Sequence, residues 1–433
     1  MRLDTRDQPG PDTSRAHPLA NRYRPLLTLC LLLLHTPSEA LTLRAQSVYA
    51  GSYSVTLQVP QGMELEYLGP MQGPRFLDLG PENELLVGSN NSQVYRWRPP
   101  YSQPEVLVSL PGKNHSVAYR NGELFVAETG ALLHAPYSGL STQLNATDFD
   151  TYVVLPSQTG GHWSRSVVVG PDQALYLGLG ISGNCSDEYL DQSYTFERRR
   201  GGVFKINEPP GQAASLAPYA SGLRNPIGLA FDTRTDKLYA TNAGSDDLGY
   251  EQPREIFAYL SQGSFHGMPW FQYINRTFEE QGCIQSASPR PASEARAPSL
   301  TFDARSTPEG IAFVYGNTLG TAFSGNAIVA IHGSWARQPG GGNESRRPPK
   351  LVMAEFSGTV PTAVVDVVTG FQRADGSRFA RPVGVLVGPD GHLYFTSDGG
   401  DVQGLFRLRR SPPAHEPRPL NSLPMIYPLF LFQ

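Results

Sequence analysis

The stretch SVVVGPDQALYLGL, residues 166–179, contains an apolar strand, a Gly-Pro-Asp turn and a second apolar strand. Turn residues between two runs rich in β-branched and aromatic side chains predict a β-hairpin. The pattern recurs as FLDLGPENELLVGS (76–89), SVAYRNGELFVAET (116–129), GLAFDTRTDKLYAT (228–241), GIAFVYG…NAIVAIHG (310–333) and GVLVGPDGHLYFTS (384–397). The chain therefore carries six copies of one hairpin.

Six similar hairpins predict an all-β fold, a six-bladed β-propeller. A single hairpin cannot bury both of its faces, whereas radial stacking around an axis buries the faces of every copy. A β-sandwich is the alternative, but it does not require six matching hairpins. YSVTLQV (53–59) and GLFRLRR (404–410) are strand-like, and we expect them to pair in one blade and close the ring.

The ends of the chain differ from this repeat. Residues 1–40 are interpreted as an N-terminal extension with a secretory signal, because Arg22 and Arg24 precede the apolar run 26–34 and small residues stand at Ser38 and Ala40. A signal anchor is the alternative, although nine apolar residues are too few to span a bilayer. The predicted propeller domain is 41–410, and residues 411–433 form a Pro-rich tail of poor order.

Sequons and cysteines agree with secretion. Asn-x-Ser/Thr sequons predict glycosylation at Asn90, Asn114, Asn145, Asn184, Asn275 and Asn343. Cys30 leaves with the signal, so Cys185 and Cys283 remain as an even pair in an oxidising compartment, where a disulfide is expected. The net charge is −4 with no long basic run, so nucleic acid is not an expected partner.

Polar residues recur at the same phase of the six hairpins. The ends of the inner strands gather at one mouth of a propeller, and two long segments, 180–222 and 246–305, exceed what a blade needs and are expected to build a site there. The expected mouth residues are Arg75, His115, His162, Arg224, Asn225, Glu309, Arg381, Asn242, 244–247, His332, Trp335 and Arg337. Clustered arginines suit an anionic, planar ligand. Solvated loop residues and blade-tip ion pairs are the alternative.

Several of these motifs, in this order, resemble one family. GHWSRSVVVGPDQALYLGLG (161–180), GLRNPIGLAFD (222–232), NAGSDDLG (242–249), GSFHGMPW (263–270), HGSWAR (332–337) and RPVGVLVGPDG (381–391) carry the resemblance. The chain is similar to the soluble quinoprotein glucose and sorbosone dehydrogenases, including fungal pyranose dehydrogenases, over roughly residues 65–410.

The resemblance implies a cofactor and a mechanism. Pyrroloquinoline quinone (PQQ), a planar tricarboxylate, would accept hydride from the anomeric carbon while His162 takes the hydroxyl proton. Arg224 and Asn225 would hold quinone oxygens and stabilise negative charge, and Arg75, Arg337 and Arg381 would pair with cofactor carboxylates. Trp335 would stack on the ring, with His115 and His332 also facing the cofactor.

The resemblance also implies Ca²⁺ as Lewis acid at the NAGSDD loop. Gly244 and Ser245 would offer carbonyl oxygens, and Asp246 or Asp247 a carboxylate. A capped turn in which these Asp side chains bind backbone N–H groups is the alternative.

The leading function is thus a secreted dehydrogenase for an aldose, ketoaldose or related pyranose. A calcium-dependent lactonase-like hydrolase and a non-catalytic extracellular binding propeller are the alternatives, and fold alone does not separate the three. The reaction requires an external electron acceptor, a cytochrome or a quinone. Membrane association is not expected.

Overall fold

The computed structural model describes residues 41–156 and 161–412. The expected signal at 1–40 and nearly all of the expected tail lie outside the described residues.

The described chain is almost entirely β-strand. Three strands precede the first blade: β1 (Leu43–Ala50), β2 (Tyr53–Pro60) and β3 (Met63–Pro70). The next eight are β4 (Pro74–Leu79), β5 (Leu85–Ser89), β6 (Gln93–Trp97), β7 (Pro104–Ser109), β8 (Asn114–Arg120), β9 (Glu123–Glu128), β10 (Ala131–Pro136) and β11 (Asp150–Val154). Then come β12 (Arg165–Val169), β13 (Leu175–Leu179), β14 (Gly202–Asn207), β15 (Ser215–Ser221), β16 (Pro226–Asp232), β17 (Lys237–Asn242) and β18 (Glu255–Leu260).

The remaining strands complete the second half of the molecule. They are β19 (Ser264–Phe265), β20 (Phe271–Ile274), β21 (Thr277–Glu280), β22 (Leu300–Phe302), β23 (Pro308–Phe313), β24 (Ala327–Ile331), β25 (Lys350–Ser357), β26 (Val360–Val368), β27 (Pro382–Val387), β28 (Leu393–Ser397) and β29 (Gly404–Arg410). Within the described ranges, the helical segments are four short 3₁₀ turns at Ala146–Asp148, Phe196–Arg198, Ala292–Glu294 and Asn343–Ser345.

Six sheets form the blades of a six-bladed β-propeller, as predicted. In chain order they are β4–β7, β8–β11, β12–β15 with β19, β16–β18 with β22, β23–β26, and β27–β29 with β3. Each blade begins with one of the six hairpins recognised in the sequence. The first strands contact one another in a closed ring, β4 to β8, β12, β16, β23, β27 and back to β4.

Several of the first strands contain a bulge that turns polar residues towards the axis. In four blades a Pro pairs with the partner strand and a bulge follows directly, as between Pro308 and Ile311. A bulge re-aims the side chains beside it. The backbone of the neighbouring blade approaches very closely. A Cβ on Gly228 would lie 2.0 Å from the backbone carbonyl oxygen of Glu309, and a Cβ on Gly384 would lie 2.4 Å from that of Arg75. Only glycine fits at such a backbone approach.

The core lies between the blades. On β9, Leu124 and Val126 pack towards blade 1, whereas Phe125 and Ala127 pack towards blade 3. Successive side chains of a strand point to opposite faces, and here both faces are buried. This explains why the second strand of each hairpin reads as a continuous apolar run.

The ring closes with a different strand from the one expected. β29 pairs antiparallel with β3, from Gly404 opposite Pro70 to Arg410 opposite Met63. The predicted partner, segment 53–59, lies instead in β2, which pairs with β1. Glu66 on β3 accepts hydrogen bonds from Arg407 and Arg409, an ion-pair ladder that favours this register.

The two long segments are partly blade and partly insertion. β14 and β15 are outer strands of blade 3, and β18 and β22 are outer strands of blade 4, so the predicted insertions 180–222 and 246–305 are shorter than expected. The inserted parts share a small aromatic core around Tyr189, Phe265 and Trp270. Cys185 and Cys283 are disulfide-bonded, with Cα atoms 6.3 Å apart, and this bond joins the two insertions.

Among the described residues, no helix has the length and apolar character needed to cross a bilayer.

Candidate active site

A cavity of about 380 Å³ lies where loops of blades 3, 4 and 5 meet. Six of its lining residues were predicted from the sequence: His162, Arg224, Asn225, Gly244, Asp246 and Trp335. The Trp335 side chain is 70 % exposed, which leaves its indole face accessible at the rim. A larger cavity, about 730 Å³, lies near Tyr53, Tyr67 and Gln403 and contains none of the predicted residues.

His162 stands just before β12 and lines the cavity. Its Nδ1 lies 2.7 Å from the Ile181 carbonyl oxygen, which can only accept, so Nδ1 carries the proton and Nε2 is the free base. Burial, and next the positive charge of Arg224, lower the pKa of His162 to about 4. The imidazole is therefore neutral at physiological pH and able to accept a proton.

Two buried arginines hold the backbone of His162. Arg165 Nη1 donates to the His162 carbonyl oxygen at 3.0 Å, and Arg200 Nη2 donates to the same oxygen at 3.1 Å. Arg200 Nε also binds the Gly180 carbonyl at 2.8 Å. Both residues are fully buried, and no local sequence pattern predicts their role.

Arg224 and Asn225 precede β16 and are almost fully buried at the cavity wall. Arg224 donates from Nε to the Asn184 carbonyl at 2.9 Å, and from Nη2 to Asn184 Oδ1 at 2.7 Å and Asp246 Oδ2 at 2.8 Å. Asn225 is held through its backbone N–H, which binds Asn242 Oδ1 at 2.8 Å. Its own Oδ1 is buried without a hydrogen-bond partner among the described residues.

Other predicted residues form a separate buried network at the propeller axis. Arg75 donates to Glu309 Oε2 at 2.7 Å and to Asp398 Oδ2 at 2.5 Å, and only 4 % of the residue is exposed. His115 Nδ1 binds the Arg165 carbonyl at 2.9 Å, so its Nε2 accepts from Arg75 at 3.3 Å. Burial lowers the pKa of His115 well below its ordinary value, with Arg75 adding to the effect.

His332 and Arg381 join this network from blades 5 and 6. His332 Nε2 donates to Asp398 Oδ1 at 2.7 Å, and Arg381 Nη2 lies 2.9 Å from His332 Nδ1. Burial alone would raise the pKa of Asp398, but His332 and Arg75 outweigh it and hold that pKa far below the usual range. The network therefore engages all four of these side chains with other protein groups: Arg75, His115, His332 and Arg381. To pair with a ligand carboxylate, as predicted, Arg75 would have to break its ion pair with Glu309 or Asp398.

Hydrogen bonds from Arg305, which was not among the residues predicted for the site, hold the 242–249 loop. Arg305 donates to the Ser245 carbonyl, to Asp246 Oδ1 at 3.2 Å and to the Gln252 carbonyl at 2.9 Å. Glu255 receives the backbone N–H of Gly244 at 2.6 Å and that of Arg305 at 2.8 Å. Burial raises the pKa of Glu255 to about 7.

The loop does not fit the Ca²⁺ site expected at 244–247. The Ser245 carbonyl is bound by Arg305, and the two Asp246 oxygens are paired with Arg224 and Arg305. Asp247 is exposed and does not line the cavity. Over 41–156 and 161–412, no three His, Cys, Asp or Glu side chains lie together in a group that could hold a metal ion by themselves.

The structure also locates Arg337 and the six predicted glycosylation sites. Arg337 is exposed and lines neither the cavity nor the axial network. Of the sequons, Asn145, Asn275 and Asn343 are exposed, and Asn90 and Asn184 are partly buried. Asn114 is 0 % exposed, with Nδ2 donating to the Asn91 carbonyl, which leaves no room for a glycan there.

One cavity of the β-propeller is thus lined by a neutral histidine, a buried arginine and an exposed indole. The sequence profile of the Glucose / Sorbosone dehydrogenase family matches residues 103–334, and a TrAA12-like profile matches residues 261–408. The first match covers more than half of the 433 residues, so the chain belongs to the glucose/sorbosone dehydrogenase family.

Solved structures share the fold at low identity. The holo form of the pyranose dehydrogenase PQQ domain from Coprinopsis cinerea is 18 % identical, with TM-score 0.65, over 84 % of this chain and 98 % of that chain. The calcium structure of the family AA12 enzyme from Trichoderma reesei is 18 % identical, with TM-score 0.65, over 87 % and 100 %.

Two further similarities cover comparable lengths. The PQQ-bound aldose sugar dehydrogenase from Streptomyces coelicolor is 19 % identical, with TM-score 0.53, over 81 % of this chain and 99 % of that chain. An uncharacterized protein from Borreliella burgdorferi is 21 % identical over 401 residues, 88 % of this chain and 96 % of that protein.

Proposed function

We propose that this chain is a secreted PQQ-dependent dehydrogenase that oxidises a sugar at its anomeric carbon, with His162 as the base. One observation carries the proposal: His162, whose Nε2 is unprotonated because Nδ1 donates to Ile181, lines a cavity together with Arg224, Asn225 and Trp335. The sugar and the external electron acceptor, a cytochrome or a quinone, are identified only as classes.

The cavity residues fit a planar anion. Asn225 lines the cavity, and its side-chain amide carries N–H groups from which a ligand oxygen can accept a hydrogen bond. Arg224 contributes a positive charge fixed by three hydrogen bonds, and the Trp335 indole offers a stacking surface. Gly161 also lines the cavity, and apart from its chain neighbours no atom of the described residues lies within 4 Å of where its Cβ would stand, which is compatible with a ligand ring beside it.

PQQ, when bound, supplies a two-electron acceptor for the hydride that leaves the sugar carbon. His162 Nε2 accepts the proton of the anomeric hydroxyl, and the Nδ1–H bond to Ile181 keeps the ring in the tautomer required. Arg224 and Asn225 stabilise negative charge that develops on the acceptor side of the cavity. No step is assigned to Ca²⁺, because the loop oxygens are engaged by arginine.

Secretion is supported by the disulfide between Cys185 and Cys283, since such bonds persist in oxidising compartments. The exposed sequons Asn145, Asn275 and Asn343 are compatible with glycosylation in that compartment.

In the first step of the test, PQQ is added to the purified protein and its binding is measured from the change in absorbance. Dye reduction is then measured with a panel of aldoses and ketoaldoses. We expect saturable PQQ binding and turnover with at least one sugar. Absence of any absorbance change with PQQ would overturn the proposal.

A variant then tests the role of His162. His162→Gln is expected to lose about 10²–10⁴-fold in kcat while keeping PQQ affinity, since it removes the base and spares the cavity wall. The matched control is His134→Gln, because His134 lies on β10 and contacts Glu123 outside the cavity. Near-intact turnover in His162→Gln would show that another group is the base.

A further inference from the structure

The loop from Gly244 to Gln252 surrounds the Arg305 guanidinium. Arg305 lies between β22 and β23, and its side chain is only 4 % exposed. Nε donates to the Gly249 carbonyl at 3.0 Å, and Nη2 donates to the Gln252 carbonyl at 2.9 Å and again to Gly249. Nη1 donates to the Ser245 carbonyl and to Asp246 Oδ1 at 3.2 Å. Three carbonyls and one carboxylate thus converge on one cation.

This oxygen set is of the kind that a hard divalent cation would take. Ca²⁺ selects carbonyl and carboxylate oxygens, often from a short irregular loop. Here the guanidinium satisfies them, and its planar fork matches oxygens spread over several directions. A divalent ion among the same oxygens would have to displace a buried guanidinium or stand beside it, and like charges repel strongly in a buried site.

The backbone also fixes Arg305 in this place. Glu255, buried at the start of β18, accepts the backbone N–H groups of both Gly244 and Arg305. Arg305 has φ +68°, a left-handed conformation that a non-glycine residue keeps only where its surroundings hold it. The left-handed backbone of Arg305, anchored by Glu255, therefore holds its side chain beside the loop, and the same carboxylate anchors the start of the loop at Gly244.

We propose that Arg305 is the resident cation of the 244–252 loop, so that the loop keeps its shape and its side of the cavity without Ca²⁺. Asp246 transmits this arrangement, because its Oδ1 pairs with Arg305 while its Oδ2 pairs with Arg224. Arg305 is thus a positioning residue: it holds Asp246, and Asp246 orients the Arg224 side chain at the cavity wall. The effect of Arg305 on PQQ binding rests on the proposed function, whereas the claim that the loop keeps its shape without Ca²⁺ does not.

The first test is calorimetric titration of Ca²⁺ into chelator-treated wild-type protein and into Asp246→Asn. We expect no saturable binding that depends on Asp246, and the same thermal midpoint in EDTA and in CaCl₂. Binding tighter than about 10⁻⁴ M that Asp246→Asn abolishes would overturn the proposal.

The second test compares Arg305→Met with Arg254→Met. Arg254 is an exposed arginine that pairs with Asp303, so it is a matched control outside the loop. Arg305→Met removes hydrogen bonds from the buried Ser245 carbonyl and from the partly buried Gly249 and Gln252 carbonyls. We therefore expect its thermal midpoint to fall by several degrees, against about 1 °C or less for Arg254→Met. Equal midpoints for Arg305→Met and wild type would contradict the assignment. If Arg305→Met does not fold, the wild-type titration still decides.

The third test separates this proposal from the proposed function. PQQ affinity of the wild type is measured in EDTA and in CaCl₂, and we expect the two values to agree within about twofold. A loss of about tenfold or more in EDTA would overturn the role of Arg305. If PQQ binds in neither buffer, the proposed function fails, while the Ca²⁺ titration still judges the loop.

Discussion

The chemistry proposed for His162 depends on which ring nitrogen carries the proton. The Ile181 carbonyl fixes the proton on Nδ1, and burial together with Arg224 keeps Nε2 free of one. A base is active in its unprotonated form, so activity is lost as the pH falls through its pKa. A reaction that uses His162 as its base is therefore expected to keep its rate to a lower pH than one that uses an ordinary histidine.

The first prediction concerns this limit. kcat/KM should stay level from neutral pH down to about 5 and then fall as the pH drops through about 4, the lowered pKa of His162. The pH profile is measured with a sugar that carries no ionisable group. An acid limb centred near 6.5, the unperturbed histidine value, would contradict the shift.

The second prediction concerns Arg200, which positions His162 without facing the substrate. Arg200→Met removes hydrogen bonds to the His162 and Gly180 carbonyls, so the imidazole should lose its alignment and kcat should fall by about 10–100-fold. KM and PQQ affinity should change little. Arg199→Met is the control, because Arg199 binds the Tyr194 and Gln192 carbonyls instead. Equal kcat values for the two variants would exclude the positioning role.

Among the loops and strands, the two insertions are the elements that shape the cavity wall. The 180–201 segment brings Asn184 to Arg224, and the neighbouring Cys185 ties that segment to Cys283 in the other insertion. The bond spans a sequence separation of 98 residues, so it restricts a long loop in the unfolded chain.

The third prediction follows from that tie. Replacing both Cys185 and Cys283 with Ser should lower the free energy of unfolding by about 2–5 kcal/mol and weaken PQQ binding, because Asn184 loses its anchor. Thermal unfolding with and without reductant measures the first effect. A wild-type midpoint that reductant leaves unchanged, with the thiols shown to be reduced, would contradict it.

The fourth prediction tests the close approach of the inner strands. Gly228→Ala places a methyl carbon about 2.0 Å from the backbone carbonyl oxygen of Glu309, so blades 4 and 5 must separate. The free energy of unfolding should therefore fall by about 1–3 kcal/mol or more. Gly183→Ala is the control, since its nearest atom would lie 3.8 Å away. Denaturant unfolding compares the two, and similar midpoints would show that the blades can adjust.

Across the whole molecule, the axial network joins blades that are distant in the chain. Asp398 of blade 6 pairs with Arg75 of blade 1 and with His332 of blade 5. The ring closes where β3 meets β29, and these two strands are held together by backbone hydrogen bonds, ion pairs and the ring contact of Tyr67 with Phe406. Contacts across the axis therefore bear directly on whether the ring stays shut.

The fifth prediction concerns this network. Asp398→Asn leaves the buried Arg75 with one carboxylate partner, and at pH 7 it should cost about 3–5 kcal/mol. The folded-state pKa of Asp398 is lowered, so its stabilisation is present above the unfolded value near 4 and declines as the pH falls below it. The difference between variant and wild type should therefore shrink in acid. Asp401→Asn, at a more exposed pair with Arg373, is the control and should change stability by about 1 kcal/mol or less.

The sequence by itself determined the six hairpins, because alternation and turn chemistry are local properties that repeat in each copy. It also placed His162, Arg224, Asn225 and Trp335 at the mouth, since the ends of the inner strands meet there in any propeller. Only the tertiary structure decided which strand closes the ring and which cation occupies the 244–252 loop. Arg305 lies 59 residues from Asp246, and β3 lies at the opposite end of the domain from β29, so neither pairing leaves a local pattern. Partners of buried charges are chosen by what the fold brings within hydrogen-bond distance, and that information exists only once the blades have closed.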